Sequence, residues 1–344
     1  MKQISVIGLD LAKNVFHVHG IDRNGVIVLD RQIKRNNLRS FFAQLKPCLV
    51  GMEACGSSHY WHRQLTQCGH DVRMMTPVFV KPYLKSNKND RNDAEAICEA
   101  VQRPSMRFVS PKTPEQQSVM HLHHGRKLLV EHRVALSNHM RGILSEYGIV
   151  IPLGNKAFEN HLVDALEDGE NELPMLTRHL LAELKAEFKL LQSRINRLDQ
   201  LLKQWHSQDE RSQRLETIPG IGVQTATALV GTIDQAQDFK NGRHLSAYLG
   251  LVPRQASSGG KERLFGISKR GDRYLRKLLI HGAKAVIFHI RRRLKLGLPG
   301  GNPWVKQLLL RCHPNEVAVA LANKMARIVW VLLARNETYR VIEH

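Results

Sequence analysis

Residues 3–33 read QISVIGLDLAKNVFHVHGIDRNGVIVLDRQI. Short apolar runs alternate with turn signals: QISVIGLDLA, then NVFHVHGID, a turn at Arg23-Asn24-Gly25, then VIVLDRQI. Runs rich in Val and Ile and bounded by Asn, Asp and Gly are strand signals. The segment therefore predicts three consecutive strands in a meander. Working outward, NNLRSFFAQL (36–45) predicts a helix and CLVGMEAC (48–55) a fourth strand. SHYWHRQLTQCG (58–69) predicts a helix stopped by Gly69, DVRMMTP (71–77) a fifth strand, and the chain from Asp93 a further helix. The order βββαβαβα is that of a mixed sheet with helices.

Beyond it the pattern turns helical, from about Thr113 to Gly148 and from about Pro174 to Ser207. In the second segment Leu181, Leu184, Phe188, Leu191, Ile195, Leu198, Leu202 and Trp205 step by three and four. That is a heptad seam, able to pack in cis as a helical hairpin or in trans as a coiled coil. The polar stretch NKAFENHLVDALEDGENELP (155–174) suits a connecting loop with a short helix. Near Leu215 a last region begins, with apolar helices at about 271–293 and 315–335 around a Gly, Ser and basic loop. The expected organisation is an α/β domain over 1–112, a helical, coiled-coil linker over 113–210 and a mostly α domain over 211–344.

The chain has 344 residues with 51 Lys and Arg against 31 Asp and Glu, a formal charge of +20 and a pI near 10.0. Hydrophobic content of 42% supports real cores, so the charge belongs to a folded protein, and such proteins meet polyanions. Nucleic acid is the leading partner; no amphipathic anchor favours a membrane surface. The start MKQISVIGLDLAKN is interrupted by Asp10 and Lys13, unlike a signal peptide, and no run of about 18 apolar residues is present. Five scattered cysteines form no CxxC pair, which suits a reducing cytosol and no zinc or disulfide framework. Cytoplasmic placement is expected.

Acids are the scarce charge, yet KSNKNDRNDAEAI (85–97) holds Asp90 and Asp93 amid Lys and Asn. Their spacing sets both on one face of a helix start. Asp10 ends the first predicted strand and Glu53 the fourth, so strand ends and a helix end bring four carboxylates toward one edge. Such a cluster needs divalent cations; hard oxygens suit Mg2+ or Mn2+, and two ions can clamp a phosphoryl transfer. Taken singly, either helix acid is equally an N-cap and Asp10 a turn former.

VIGLDLAKNVFHV, GMEACGSSHYW and NKNDRNDAEAI together resemble the three blocks of the DEDD domain of a large family of bacterial insertion-sequence transposases, the one-hundred-and-ten family, whose relatives include the pilin-gene invertase Piv. The resemblance implies a RuvC-like, ribonuclease-H-type first domain, with Asp10, Glu53, Asp90 and Asp93 as catalytic metal ligands. Lys88 and Arg91 beside them suit contact with a nucleic-acid backbone.

The second candidate site is LVPRQASSGGKERLFGISKRGDRYLRKLL (251–279). Residues 240–277 hold ten Lys and Arg and two acids, Glu262 and Asp272. Glycine amides approach phosphates closely, and Arg254, Lys261, Arg263, Lys269, Arg270 and Arg273 would neutralise them. A serine here is by chemistry alone a turn residue, a phosphate ligand or a nucleophile. The stretch is similar to the family's C-terminal transposase domain, which implies Ser258 as a nucleophile; Ser257 is the main competitor and Ser268 a weaker one. The resemblance further implies one composite site of acids and serine, a phosphoserine intermediate, a structured bridge RNA pairing with donor and target DNA, and multimers. The motif IPGIG (218–222) resembles a helix–hairpin–helix turn whose Gly220 and Gly222 would offer amides to a phosphate, or is a plain helix-joining turn.

Aromatic content of 6% argues against base reading by extensive stacking and fits specificity delegated to base pairing. His121, His123 and His124 lack zinc-ligand spacing and read as a polar face near nucleic acid. A DNA transposase or recombinase is the expected function. A RuvC-like hydrolytic nuclease and a non-catalytic architectural protein are the alternatives.

Overall fold

The protein is described by a computed structural model covering residues 3–340 apart from 86–88, 234, 258 and 299–300, and the backbone alone of Asn155. The chain divides into two compact units, Met1–Thr113 and Pro114–His344.

In the first unit the strands are β1 (Val6–Asp10), β2 (Val15–Ile21), β3 (Ile27–Lys34), β4 (Leu49–Glu53), β5 (Asp71–Met75) and β6 (Phe108–Val109). The helices are α1 (Leu38–Ala43), α2 (Ser58–Gln67), α3 (Pro77–Val80) and α4 (Asp90–Val101). The strands form one sheet in the order β3-β2-β1-β4-β5-β6. The first three strands are the antiparallel meander expected from 3–33, while β1/β4 and β4/β5 are parallel and β5/β6 antiparallel. This mixed six-stranded sheet with helices accords with a ribonuclease-H-like domain. β6 adds a strand to the expected set; two residues are too few to carry a period.

Side chains alternate across the sheet. Ile7, Leu9, Phe16 and Val18 are buried with Leu38 and Phe42 of α1 and Trp61 and Leu65 of α2. Val6 instead shares a core with Ala96, Ile97, Ala100 and Val101 of α4. Complete burial of one such side chain is worth about 1.5–3 kcal/mol, so each helix layer is fixed by its apolar face. The α4 side depends on glycine. A Cβ at Gly8 would lie 2.0 Å from the Ala94 carbonyl oxygen, and one at Gly51 would lie 2.7 Å from Val101 Cβ.

In the second unit the helices are α5 (Pro114–Glu146), α6 (Asn155–Glu167), α7 (Met175–His206), α8 (Glu210–Glu216), α9 (Val223–Thr232), α10 (Gly242–Tyr248), α11 (Arg273–Lys295), α12 (Pro303–Arg311) and α13 (Pro314–Arg335). A two-stranded ribbon, β7 (Pro253–Gln255) and β8 (Leu264–Ile267), stands between α10 and α11. The seam on α7 is buried at Leu181, Phe188, Leu191, Ile195 and Leu202. α7 packs against α5, and Leu181 and Phe188 share a core with Met140 and Leu144 of α5. Arg126 donates to both Asp199 oxygens, at 2.5 and 3.2 Å, across the same helix pair. α13 is long and apolar enough to cross a membrane by length and composition. Its apolar face is accounted for otherwise: Val317, Leu321, Met325 and Val329 are buried with Leu275, Leu279 and Ile287 of α11.

Candidate active site

The first candidate site grows out of the β1/β4 register. Leu9 pairs with Met52, so Asp10 and Glu53 follow as the next neighbours at the carboxyl ends of two parallel strands. Alternation sets both on the face of Gly8 and Gly51, which is the face covered by α4. α4 runs antiparallel to β1: Cys98 Sγ donates to the Val6 carbonyl at 3.9 Å, and Ala94 lies over Gly8. Its first turn, with Asp90 and Asp93, is thereby carried toward the strand end that holds Asp10 and Glu53. Asp90 is exposed, and Asp10, Glu53 and Asp93 are half-buried.

The helix start has its own cap. Asn89 accepts a 2.8 Å bond from the Asn92 amide in extended backbone geometry. The acids are thus not needed as N-caps, although the helix dipole still favours them in the first turn. Asp10 and Glu53 are felt electrostatically at Cys55, whose thiol is pushed up by burial and then by these two carboxylates. The four carboxylates are hard oxygen donors of the kind that magnesium and manganese take. Among the described residues no three His, Cys, Asp or Glu side chains already stand as an ion cage.

The surroundings of the acids differ from the sequence reading. Lys88 lies outside the described residues. Arg91 donates through Nε to Asp30 Oδ2 at 2.7 Å, and Asp30 Oδ1 lies 2.7 Å from His17 Nε2. Burial works against ionisation of Asp30, but His17 and Arg91 together hold its carboxyl below the usual range. Lys85 pairs with Glu95 and Glu99 of α4 at 3.4 and 3.3 Å.

The second candidate site is the β7/β8 ribbon, which sequence periodicity did not reveal. Ser258 lies outside the described residues. Its neighbours form the ribbon tip: Gly259 and Gly260 have φ of 57° and 77°, and the Ala256 amide donates to the Arg263 carbonyl at 3.0 Å. Arg254, Lys261 and Arg263 are exposed on the ribbon, and Lys269, Arg270 and Arg273 are exposed between it and the first turn of α11. Ser257 Oγ accepts from Gln255 Nε2 at 2.9 Å. Ser268 Oγ is buried without a hydrogen-bond partner among the described residues. The ribbon base is pinned by Arg276, buried in α11, which donates to the Leu249 and Arg270 carbonyls at 3.0 and 2.9 Å.

IPGIG joins α8 to α9 as a tight turn. Gly220 has φ of 89°, and a Cβ there would meet the Gly282 carbonyl of α11 at 2.8 Å, so packing against α11 explains this glycine. Gly222 is the capping residue of α9 with no side-chain cap, and a Cβ there would meet nothing within 4 Å. The histidine cluster is corrected at its centre. His123 is fully buried, 3.0 Å from both Tyr274 Oη and Thr227 Oγ1. It ties α5 to α9 and α11 and faces no nucleic acid; burial lowers its pKa to about 4.

Two family profiles match the chain. Residues 7–149 match a transposase profile of the DEDD type, and residues 212–297 match the profile described as "Transposase IS116/IS110/IS902 family". A "Probable family 20 transposase" of Pseudomonas aeruginosa is 50% identical, covering 98% of this chain and 99% of its own. The "Transposase for insertion sequence element IS1328" of Yersinia enterocolitica is 42% identical over the same shares of both chains. The "Pilin gene-inverting protein" of Moraxella lacunata is 23% identical over 97% of each. Relatives this similar along their whole length, together with two family profiles that include both candidate sites, place the protein in the IS110 family of insertion-sequence transposases, enzymes of DNA recombination.

Proposed function

We propose that this transposase cuts and rejoins DNA through a serine nucleophile assisted by divalent metal ions, at positions chosen by a structured guide RNA. The observation that carries the metal half is the convergence of Asp10, Glu53 and the first turn of α4 on one edge and one face of the sheet. Asp10, Glu53, Asp90 and Asp93 would hold Mg2+ or Mn2+, most simply two ions. When bound, such ions stabilise the charge on the attacking and leaving oxygens of a phosphodiester. The exposed ribbon, with its two left-handed glycines and its exposed cations, supports a phosphate site at the serine.

In the proposed step Ser258 Oγ attacks phosphorus and the bond from phosphorus to the 3′ oxygen breaks. The serine loses its proton and the departing 3′ oxygen gains one. The products are a phosphoserine ester and a free 3′ hydroxyl. Attack by a 3′ hydroxyl on that ester restores the serine and joins the strands, so the phosphoester bond is conserved. The buried hydroxyl of Ser268 disfavours it as the nucleophile; Ser257 stays the nearer competitor.

The net charge of +20 supports simultaneous hold on DNA and guide RNA. Exposed Leu180, Leu190 and Leu201, each one residue before a buried seam residue of α7, support assembly into a homo-oligomer. The test uses DNA carrying the element's ends. Wild-type protein cleaves in Mg2+ and Asp10→Asn does not. Cleavage unchanged in Asp10→Asn would remove the metal role of that acid, and no Mg2+-dependent cleavage by the wild-type protein would leave an architectural protein. RNA co-purified with the protein and sequenced should be one structured species from the element; random RNA would remove the guide.

A further inference from the structure

The first turn of α4 has a polar tie to the sheet that the resemblance does not assign. The buried apolar residues of α4 begin at Ala94, so its apolar anchoring starts one residue after Asp93. Arg91 lies between the two acids of that turn. It reaches Asp30 of β3 at 2.7 Å, and Asp30 reaches His17 of β2 at 2.7 Å. His17 stands opposite Asp10 in the β1/β2 register. The chain of contacts thus starts in the turn that carries Asp90 and Asp93 and ends on the strand position paired with Asp10.

The burial gradient suits a strut. The His17 side chain is 9% exposed, Asp30 19% and Arg91 63%. The inner end is anchored in the sheet, while the outer end meets solvent and the helix turn it holds. A pair whose carboxylate is largely buried is less screened by solvent than an ion pair exposed at both ends. Lateral contacts among β2, β3 and α4 also keep Asp30 ionised, because His17 and Arg91 both favour its charge.

We propose that His17, Asp30 and Arg91 are positioning residues that set the α4 acids against Asp10 and Glu53, so that the metal site is assembled in part before metal arrives. The inference rests on the four-acid reading above. It also gives Arg91 a role other than contact with nucleic acid. Without the strut, metal must first draw the helix turn into place, and that cost appears as weaker metal affinity.

The experiment measures Mn2+ binding to the full chain by the electron paramagnetic resonance of free Mn2+, with DNA affinity measured in parallel without metal. Wild-type protein binds Mn2+ and Asp10→Asn loses it; if the two behave alike, the four-acid reading itself fails. Given that difference, Asp30→Asn and Arg91→Gln are each expected to weaken Mn2+ binding about tenfold, with the double variant no worse than either single one. Arg91 is exposed, so Arg91→Gln leaves the fold intact, and an unchanged melting temperature in EDTA checks this. Mn2+ affinity equal to wild type in Arg91→Gln overturns the strut. So does a loss of DNA affinity with Mn2+ affinity intact, which would make Arg91 a backbone contact.

Discussion

At the acid edge, glycines at positions 8 and 51 let α4 lie directly on the sheet, with Ala94, Ile97, Cys98 and Val101 buried beneath it. At the serine ribbon, every described residue from Pro253 to Gly266 is exposed. One site is fixed by packing from two sides; the other is presented on a short two-stranded arm held at its base by Arg276. The difference matches the chemistry each would perform. Metal ligands must keep their mutual distances, whereas a nucleophile that stays bonded to a DNA end benefits from an arm that can travel with it.

If that comparison is right, the largest effect comes from the acids. Asp10→Asn or Glu53→Gln should lower strand cleavage by about a thousandfold or more, with DNA affinity in EDTA changed little; a cleavage assay and a gel-shift measurement separate the two. Next is the packing that fixes the edge. Gly8→Ala puts a methyl group 2.0 Å from the Ala94 carbonyl oxygen, so it should cost about 1–3 kcal/mol or more and weaken Mn2+ binding as α4 is pushed off. The counterpart in the arm, Gly259→Ala, has open space around the new carbon and φ of 57°, so its cost is that of left-handed backbone alone, about 1 kcal/mol. Calorimetry of both variants breaks the comparison if their melting temperatures fall equally.

A pH-dependent effect concerns the frame behind the arm. His123 is buried neutral, with a pKa of about 4 against 6.5 for an unburied histidine. As pH falls through 6.5 the unfolded chain takes up this proton and the folded chain does not, so stability declines until about pH 4 and this contribution then levels off. The loss is on the order of 3 kcal/mol. Denaturant titrations from pH 7.5 to 4 should show a shallower decline in His123→Gln than in wild type. Smallest are the ribbon cations: Lys261→Gln or Arg263→Gln should weaken DNA binding severalfold and reduce its salt dependence by about one counterion each.

Much of the acid edge was legible because strands buried on both faces write short apolar runs into the sequence, and because Asp10 and Glu53 fall where those runs stop. Asn89 as the true cap was not, since Asn, Asp and Asp in NDRND all have capping chemistry and only the backbone selects among them. The ribbon was not legible either. Both of its strands are exposed on both faces, so no alternation marks them. His123 looked polar like its neighbours His121 and His124, because its partners Thr227 and Tyr274 lie more than a hundred residues away in sequence. Arg91 looked like a phosphate contact for the same reason: Asp30 and His17 reach it only once the meander has folded.

Trapping the covalent intermediate tests whether the acid edge and the ribbon serine serve one strand-transfer reaction. Protein is incubated with a nicked DNA substrate that lets the cut end diffuse away, digested with protease, and the nucleotide-bearing peptide is identified by mass spectrometry. The expected result is a phosphodiester on Ser258 that forms in Mg2+ and is absent in EDTA, in Asp10→Asn and in Ser258→Ala. Cleavage that proceeds with no adduct, or an adduct that forms equally well in Asp10→Asn, would contradict it.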